Sequence, residues 1–213
     1  MKNILLTNLL FIAILTNAQF RKGDKYLGGT FSISVQGVPN SPNGGATSEA
    51  NSFGIDPSIG FLMNEKFAIG GHIGYDWYHQ KSTNFSSSNE NNSNSFSTGL
   101  HARRYFKISE NFLFSVVGFL GFNRGVVTSI STYNLPPQQG TSENKTKEYQ
   151  LWTNIVPGFM FFPSPRWAFE VSVGSIGQTQ RRSLSTHAIQ NTFYLRYGII
   201  SFGLFYYFRK SSK

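Results

Sequence analysis

The chain has 213 residues, a formal net charge of +9 and no cysteine, with 16% aromatic and only 14% charged residues. Low charge beside 21 glycines and 21 phenylalanines points to all-β structure and away from helices or disorder. Without cysteine, disulfide staples, thiol nucleophiles and cysteine-held metals are all excluded, and the length suits one domain.

Lys2, the apolar stretch Ile4 to Leu15 and the small-residue site Thr16-Asn17-Ala18 form the pattern of a cleaved secretory signal peptide over residues 1–18. Residues 19–213 then form the mature domain. The apolar stretch is too short to span a bilayer as a helix, and no later run reaches about 18 apolar residues. A membrane form of this chain would have to be a closed barrel, because only helices and closed barrels satisfy every backbone group in lipid.

Eight strands follow in order. The first, Lys25 to Gln36, alternates Leu27, Gly29, Phe31, Ile33 and Val35 against Gly28, Thr30, Ser32 and Ser34. A Pro, Asn, Ser and Gly-rich loop over 37–51 leads to the second, Ser52 to Met63, and Asn64-Glu65-Lys66 makes a tight turn. The third, Phe67 to His79, sets Phe67, Ile69, Ile73, Tyr75 and Trp77 against Ala68, His72 and Asp76, a period of two that leaves little room for a helix. The polar low-complexity stretch Gln80 to Ser95 is read as a loop. The fourth strand, Phe96 to Phe106, carries Arg104 on its apolar face near the strand end, where a long side chain can reach headgroups.

The fifth strand, Phe112 to Asn123, and the sixth, Tyr149 to Phe162, flank a long loop over 124–148. The seventh is Trp167 to Ile176, and the eighth, Thr192 to Phe208, follows a loop over 177–191. Connections therefore alternate long and short throughout, the asymmetry of small outer-membrane barrels. Phe67, Phe106, Phe112, Phe161, Trp167 and Phe208 lie beside the short turns, whereas Tyr75, Trp77, Phe96, Phe122 and Tyr149 lie beside the long loops. Two such aromatic belts match two membrane interfaces.

Two irregularities predict bulges. Pro57 and Pro157 each remove a ladder hydrogen bond from the interior of a strand. In the eighth strand, outward residues are odd-numbered through Ile199 but even-numbered from Ile200, so a bulge is predicted there. Closure against the first strand then aims Tyr206 and Phe208 outward and Tyr207 inward.

The face opposite the apolar one collects Asp56, His72, Asp76, His101, Arg103, Glu170 and Arg196, predicting a polar network in a lumen filled by side chains. Counting from the short turns places Arg103 level with Glu170, and His72 level with His101. His, Asp and Ser on neighbouring strands raise a hydrolase or acyltransferase alternative, but no spacing singles out a triad. Two histidines without a third ligand are a weak metal signal. Basic residues are scattered, with several in the tail from Arg209 to Lys213, and no recognition motif accompanies them, so nucleic acid is not an expected partner.

The last strand, with Ser201, Gly203, Tyr206 and Phe208, resembles the C-terminal assembly signal of bacterial outer-membrane barrels. Together with Val156-Pro157-Gly158-Phe159-Met160-Phe161-Phe162 and Glu170-Val171-Ser172-Val173-Gly174, it is similar to the porin-like outer-membrane β-barrel domain family across essentially the whole mature chain. The resemblance implies an eight-stranded antiparallel up-and-down transmembrane β-barrel in the outer membrane of a Gram-negative bacterium. The expected function is non-enzymatic, in surface interaction or envelope integrity, with no cofactor. The expected partners are membrane lipid, lipopolysaccharide and, through the last strand, the barrel-assembly machinery. A lipid A or phospholipid modifying enzyme on the same fold and a secreted soluble ligand-binding barrel stand as alternatives.

Overall fold

The computed structural model describes residues 20–38, 47–134, 139–184 and 188–209. The predicted signal peptide lies outside the described residues. The strands are β1 (Lys25–Val38), β2 (Thr47–Asn64), β3 (Phe67–Thr83), β4 (Ser87–Lys107), β5 (Phe112–Tyr133), β6 (Gly140–Phe161), β7 (Trp167–Ser183) and β8 (Ile189–Phe208). All neighbours are antiparallel, and the eight close into one barrel in sequence order.

Period-two alternation builds the wall. Leu27, Phe31 and Ile33 of β1, Ile55 and Ile59 of β2, Leu100 of β4 and Leu120 of β5 all face outward and are exposed. Arg104 is also outward, its guanidinium 5.4 Å from the Phe106 ring. Closure pairs Lys25 with Phe208 through to Phe31 with Phe202. Leu27 thus stands opposite Tyr206, while Tyr207 is 0% exposed and points inward.

The strands are longer than the alternation predicts. The stretches read as loops over 80–95, 124–148 and 177–191 are largely extensions of β3 to β8, and the described turn between β3 and β4 is only Asn84-Phe85-Ser86. Hairpin ladders satisfy their own backbone groups whatever the side chains, so a segment polar on both faces can still be a strand. Asn84 fixes this turn, its Oδ1 accepting from the backbone amides of Ser86 and Ser87 at 3.0 and 2.7 Å. Farther down the same hairpin Ser129 Oγ donates to Asn91 Oδ1 at 2.7 Å across the β4–β5 ladder.

The prolines behave differently from one another. Pro157 lies in a register shift of the β6–β7 ladder between Ile155 and Gly158. Pro57, in contrast, makes no bulge. It pairs with Gly29 in unbroken register, and β2–β3 pairing resumes unchanged from Ile55↔Tyr75 to Ser58↔His72. The missing amide is accommodated by a gap in one ladder alone. The phase change of β8 is a β7–β8 register shift, with Val173↔Ile200 followed by Ser175↔Arg196. Gly174 at the shift has φ +67°, a left-handed conformation that suits glycine.

Candidate functional site in the barrel lumen

The lumen is layered rather than uniformly polar. At the short-turn end it is an aromatic plug: Tyr26, Tyr105, Phe162, Phe205 and Tyr207 are buried together with Leu62 and Met160. Phe20, just before β1, inserts from below, its ring 4.9 Å from Tyr207 and 4.6 Å from Tyr105. Backbone bonds hold this entry segment in place, with Gly23 N donating to Leu62 O and Leu62 N to Asp24 O, both at 2.8 Å. The expectation that inward residues are polar fails here, because eight strands enclose too little space for water and large rings fill the width. Glycine makes the room: a Cβ at Gly60 would overlap the Tyr26 ring.

Above the plug lies the charged layer. Arg103 Nη1 of β4 donates to Glu170 Oε1 of β7 at 2.9 Å, with the two side chains 4% and 2% exposed. Ser115 Oγ of β5 donates to the same carboxylate oxygen at 2.8 Å. The guanidinium also sits 4.6 Å from the Phe205 ring centroid. Buried charges persist when they are paired and hydrogen-bonded, and this layer supplies both conditions.

Next come the histidines. His101 Nε2 and Tyr26 Oη are 2.5 Å apart. The His72 ring is 6.2 Å from that of His101, 5.4 Å from Phe119 and 5.5 Å from Trp152. Among the described residues neither histidine is hydrogen-bonded to a serine or carboxylate, and no cluster of three His, Cys, Asp or Glu is placed to hold a metal.

The uppermost layer is a cavity of about 280 Å³ lined by Asp56, Asp76, Ser97, Asn123, Tyr194 and Arg196 among others. Arg196 stacks on Tyr194 at 4.6 Å. Among the described residues, it makes no ion pair with Asp56 or Asp76. The seven residues expected to form one polar network therefore divide between three levels, and only Arg103 and Glu170 form an ion pair. The separation follows from their heights on different strands.

Several participants escaped the sequence reading. Ser115, Met160 and Phe205 surround Arg103, and Tyr26 meets His101, yet no inward phase was assigned to the fifth or sixth strand, and inward aromatics resemble outward ones in composition. In the last strand, Ser201 pairs with Ser172, and Gly203 stands between Thr30 and Glu170 in the wall. Tyr206 lies 5.0 Å from Trp167 and 4.9 Å from Phe208, forming an outward aromatic group.

The sequence matches no protein-family model and no curated protein. Among solved structures it is similar to Neisserial surface protein A, with 15% identity, TM-score 0.48, and coverage of 87% of this chain and 99% of that one. It is likewise similar to the outer membrane protein OprG from Pseudomonas aeruginosa, with 12% identity, TM-score 0.43, and coverage of 91% and 100%. The N-terminal β-barrel domain of Pseudomonas aeruginosa OprF is a further likeness, with 11% identity, TM-score 0.39, and coverage of 88% and 98%.

Proposed function

We propose that this chain is an integral outer-membrane β-barrel, exported by its signal peptide, that acts without enzymatic chemistry in surface interaction or envelope integrity. The observation that carries the reading is the inverted distribution of side chains. Leucine, isoleucine and phenylalanine cover the outside, while the ion-paired and hydrogen-bonded groups lie inside, above the aromatic plug. Exposing so many large apolar side chains to water costs about 25 cal/mol per Å², whereas lipid imposes no such cost. A soluble ligand-binding barrel needs the opposite arrangement.

The plugged lower lumen supports a non-conducting role. Above the belt, Arg124, Lys145, Lys147 and Arg182 come from adjacent strands, with Val126 paired to Lys147 and Tyr149 to Arg182. Such a cationic band suits the phosphates of lipopolysaccharide. The outward Trp167, Tyr206 and Phe208 group suits engagement of the assembly machinery by the last strand.

Cell fractionation with heat-modifiable electrophoresis tests the location. Recovery in outer-membrane fractions, with a folded band that shifts on boiling, is expected; a detergent-free soluble protein would overturn the reading. Lipid A and phospholipid profiles of deletion and wild-type cells should match. A difference restored by the wild-type gene but not by an Asp76→Asn, His72→Ala, His101→Ala variant would establish the enzymatic alternative.

A further inference from the structure

Two pockets meet at the seam between the first and last strands. Among the described residues, β1 and β8 pair from Lys25↔Phe208 to Phe31↔Phe202, although β1 continues to Val38 and β8 begins at Ile189. A tilted strand crosses a bilayer in roughly ten residues. Ser32 to Ser34 and Ile200 to Ser201 thus fall inside the apolar belt, with no β1–β8 ladder between them among the described residues. Backbone edges in hydrocarbon require hydrogen-bonding partners.

On the outer surface where the ladder stops lies an apolar groove of about 420 Å³, floored by Gly29 and Gly203 and walled by Phe31, Pro57, Phe202 and Leu204. On the inner side lies the polar cavity with Asp56, Asp76 and Arg196. Thr30 and Ile55 line both spaces. Asp56 adds an independent sign of an occupant: its Oδ1 is shielded from solvent and has no hydrogen-bond partner among the described residues. A buried carboxylate oxygen of this kind calls for a donor.

We propose that this seam binds one zwitterionic phospholipid of the ethanolamine class, its ammonium directed to Asp56 and Asp76, its phosphate to Arg196, and one acyl chain in the Phe31–Phe202 groove. An ammonium offers three donors and a phosphate accepts from a guanidinium. The polar and apolar halves of the ligand match the two spaces on either side of Thr30 and Ile55, and since both residues are paired to neighbouring strands, the headgroup enters above Phe31↔Phe202, where β1–β8 pairing stops among the described residues. A headgroup seated in the gap also supplies polar partners where the β1–β8 ladder is missing. The proposal rests on the bilayer location argued above.

Native mass spectrometry of the full mature barrel from detergent micelles tests it, with phosphatidylethanolamine, phosphatidylglycerol and soluble phosphoethanolamine as the probes. One retained phosphatidylethanolamine is expected, favoured over phosphatidylglycerol by roughly tenfold or more, as the loss of a charge-assisted contact implies. Asp56→Asn with Asp76→Asn, or Arg196→Gln, should abolish that preference while the heat-modifiable band persists. Should a variant fail to fold, photo-crosslinking of wild type by a diazirine-bearing phosphatidylethanolamine keeps the question decidable. Label concentrated on residues 29–33 and 200–204 supports the seam. Equal retention of both lipids with label spread around the belt would leave only annular lipid and overturn the proposal. Soluble phosphoethanolamine bound as tightly as the lipid would overturn the groove. Failure of the folded barrel to enter bilayers would remove the premise itself.

Discussion

Arg103 and Glu170 join opposite parts of the wall, β4 to β7, through a 2.9 Å ion pair inside the barrel. Neither side chain has water to fall back on. Removing one partner strands the other, and buried pairs broken in this way lose about 3–5 kcal/mol. Glu170→Leu and Arg103→Met should each lower the urea midpoint of the detergent-folded barrel. The double variant, with two apolar groups in contact, should recover much of the loss. A double-mutant cycle without coupling would show that the pair carries no energetic link.

The polar extensions of β3 to β6 yield a second expectation. Their amides are bonded in ladders that run to Thr83↔Ser88 and Ser87↔Tyr133, so hydrogen exchange over residues 88–95 should be slowed well below that of a free loop. Mass-spectrometric exchange of the folded barrel measures this directly. Exchange at the rate of an unstructured peptide would make these segments loops after all.

These extensions also mark the limit of what was legible in the chain. Period-two alternation reveals a strand only where its faces differ. Phe67 to Trp77 announces itself, whereas Ser87 to Ser95 pairs through backbone and polar side chains such as Asn91 with Ser129, and leaves no trace in hydropathy. The Arg103–Glu170 pairing was legible because both residues sit at a countable height above short turns. The aromatic plug was legible only in part, because Tyr26 and Phe205 follow the inward phase of their strands, whereas Phe20 belongs to no strand and Phe162 lies just past the end of β6. The inward position of Tyr207 follows from phase and was readable. The β1–β8 gap depends on where a ladder stops, which no pattern within a single strand encodes.

The last strand should separate assembly from stability. Phe208 is outward and exposed, and packs against Tyr206, whereas Tyr207 is fully buried against Phe20 and Phe162. If the outward aromatics are the recognised element, Phe208→Ala should reduce the amount of folded protein in membranes while leaving the unfolding midpoint of purified, refolded barrel within about 0.5 kcal/mol of wild type, as for surface changes. Tyr207→Ala should do the reverse, removing buried ring volume at about 3–5 kcal/mol, by analogy with other large aromatic truncations. Equal assembly of Phe208→Ala and wild type would remove Phe208 from the signal.

Phe20 makes the sharpest case, because it belongs to no strand and yet completes the core. Its ring is 3% exposed and contacts Tyr105, Phe162 and Tyr207 at centroid separations of 4.6, 5.6 and 4.9 Å. Those three rings come from three separate parts of the barrel, so Phe20 couples the entry segment to strand closure. Phe20→Ala should cost about 3–5 kcal/mol, since the rigid ring of strands has little capacity to collapse around the void. Phe20→Leu should recover most of that by refilling it. The backbone tie of Gly23 to Leu62 lies beyond the substitution, so the far-ultraviolet circular dichroism of the folded barrel should not change. Unfolding in urea from detergent micelles supplies the measurement. A Phe20→Ala midpoint equal to wild type would mean that the entry segment is not docked in solution and that the plug ends at Tyr207.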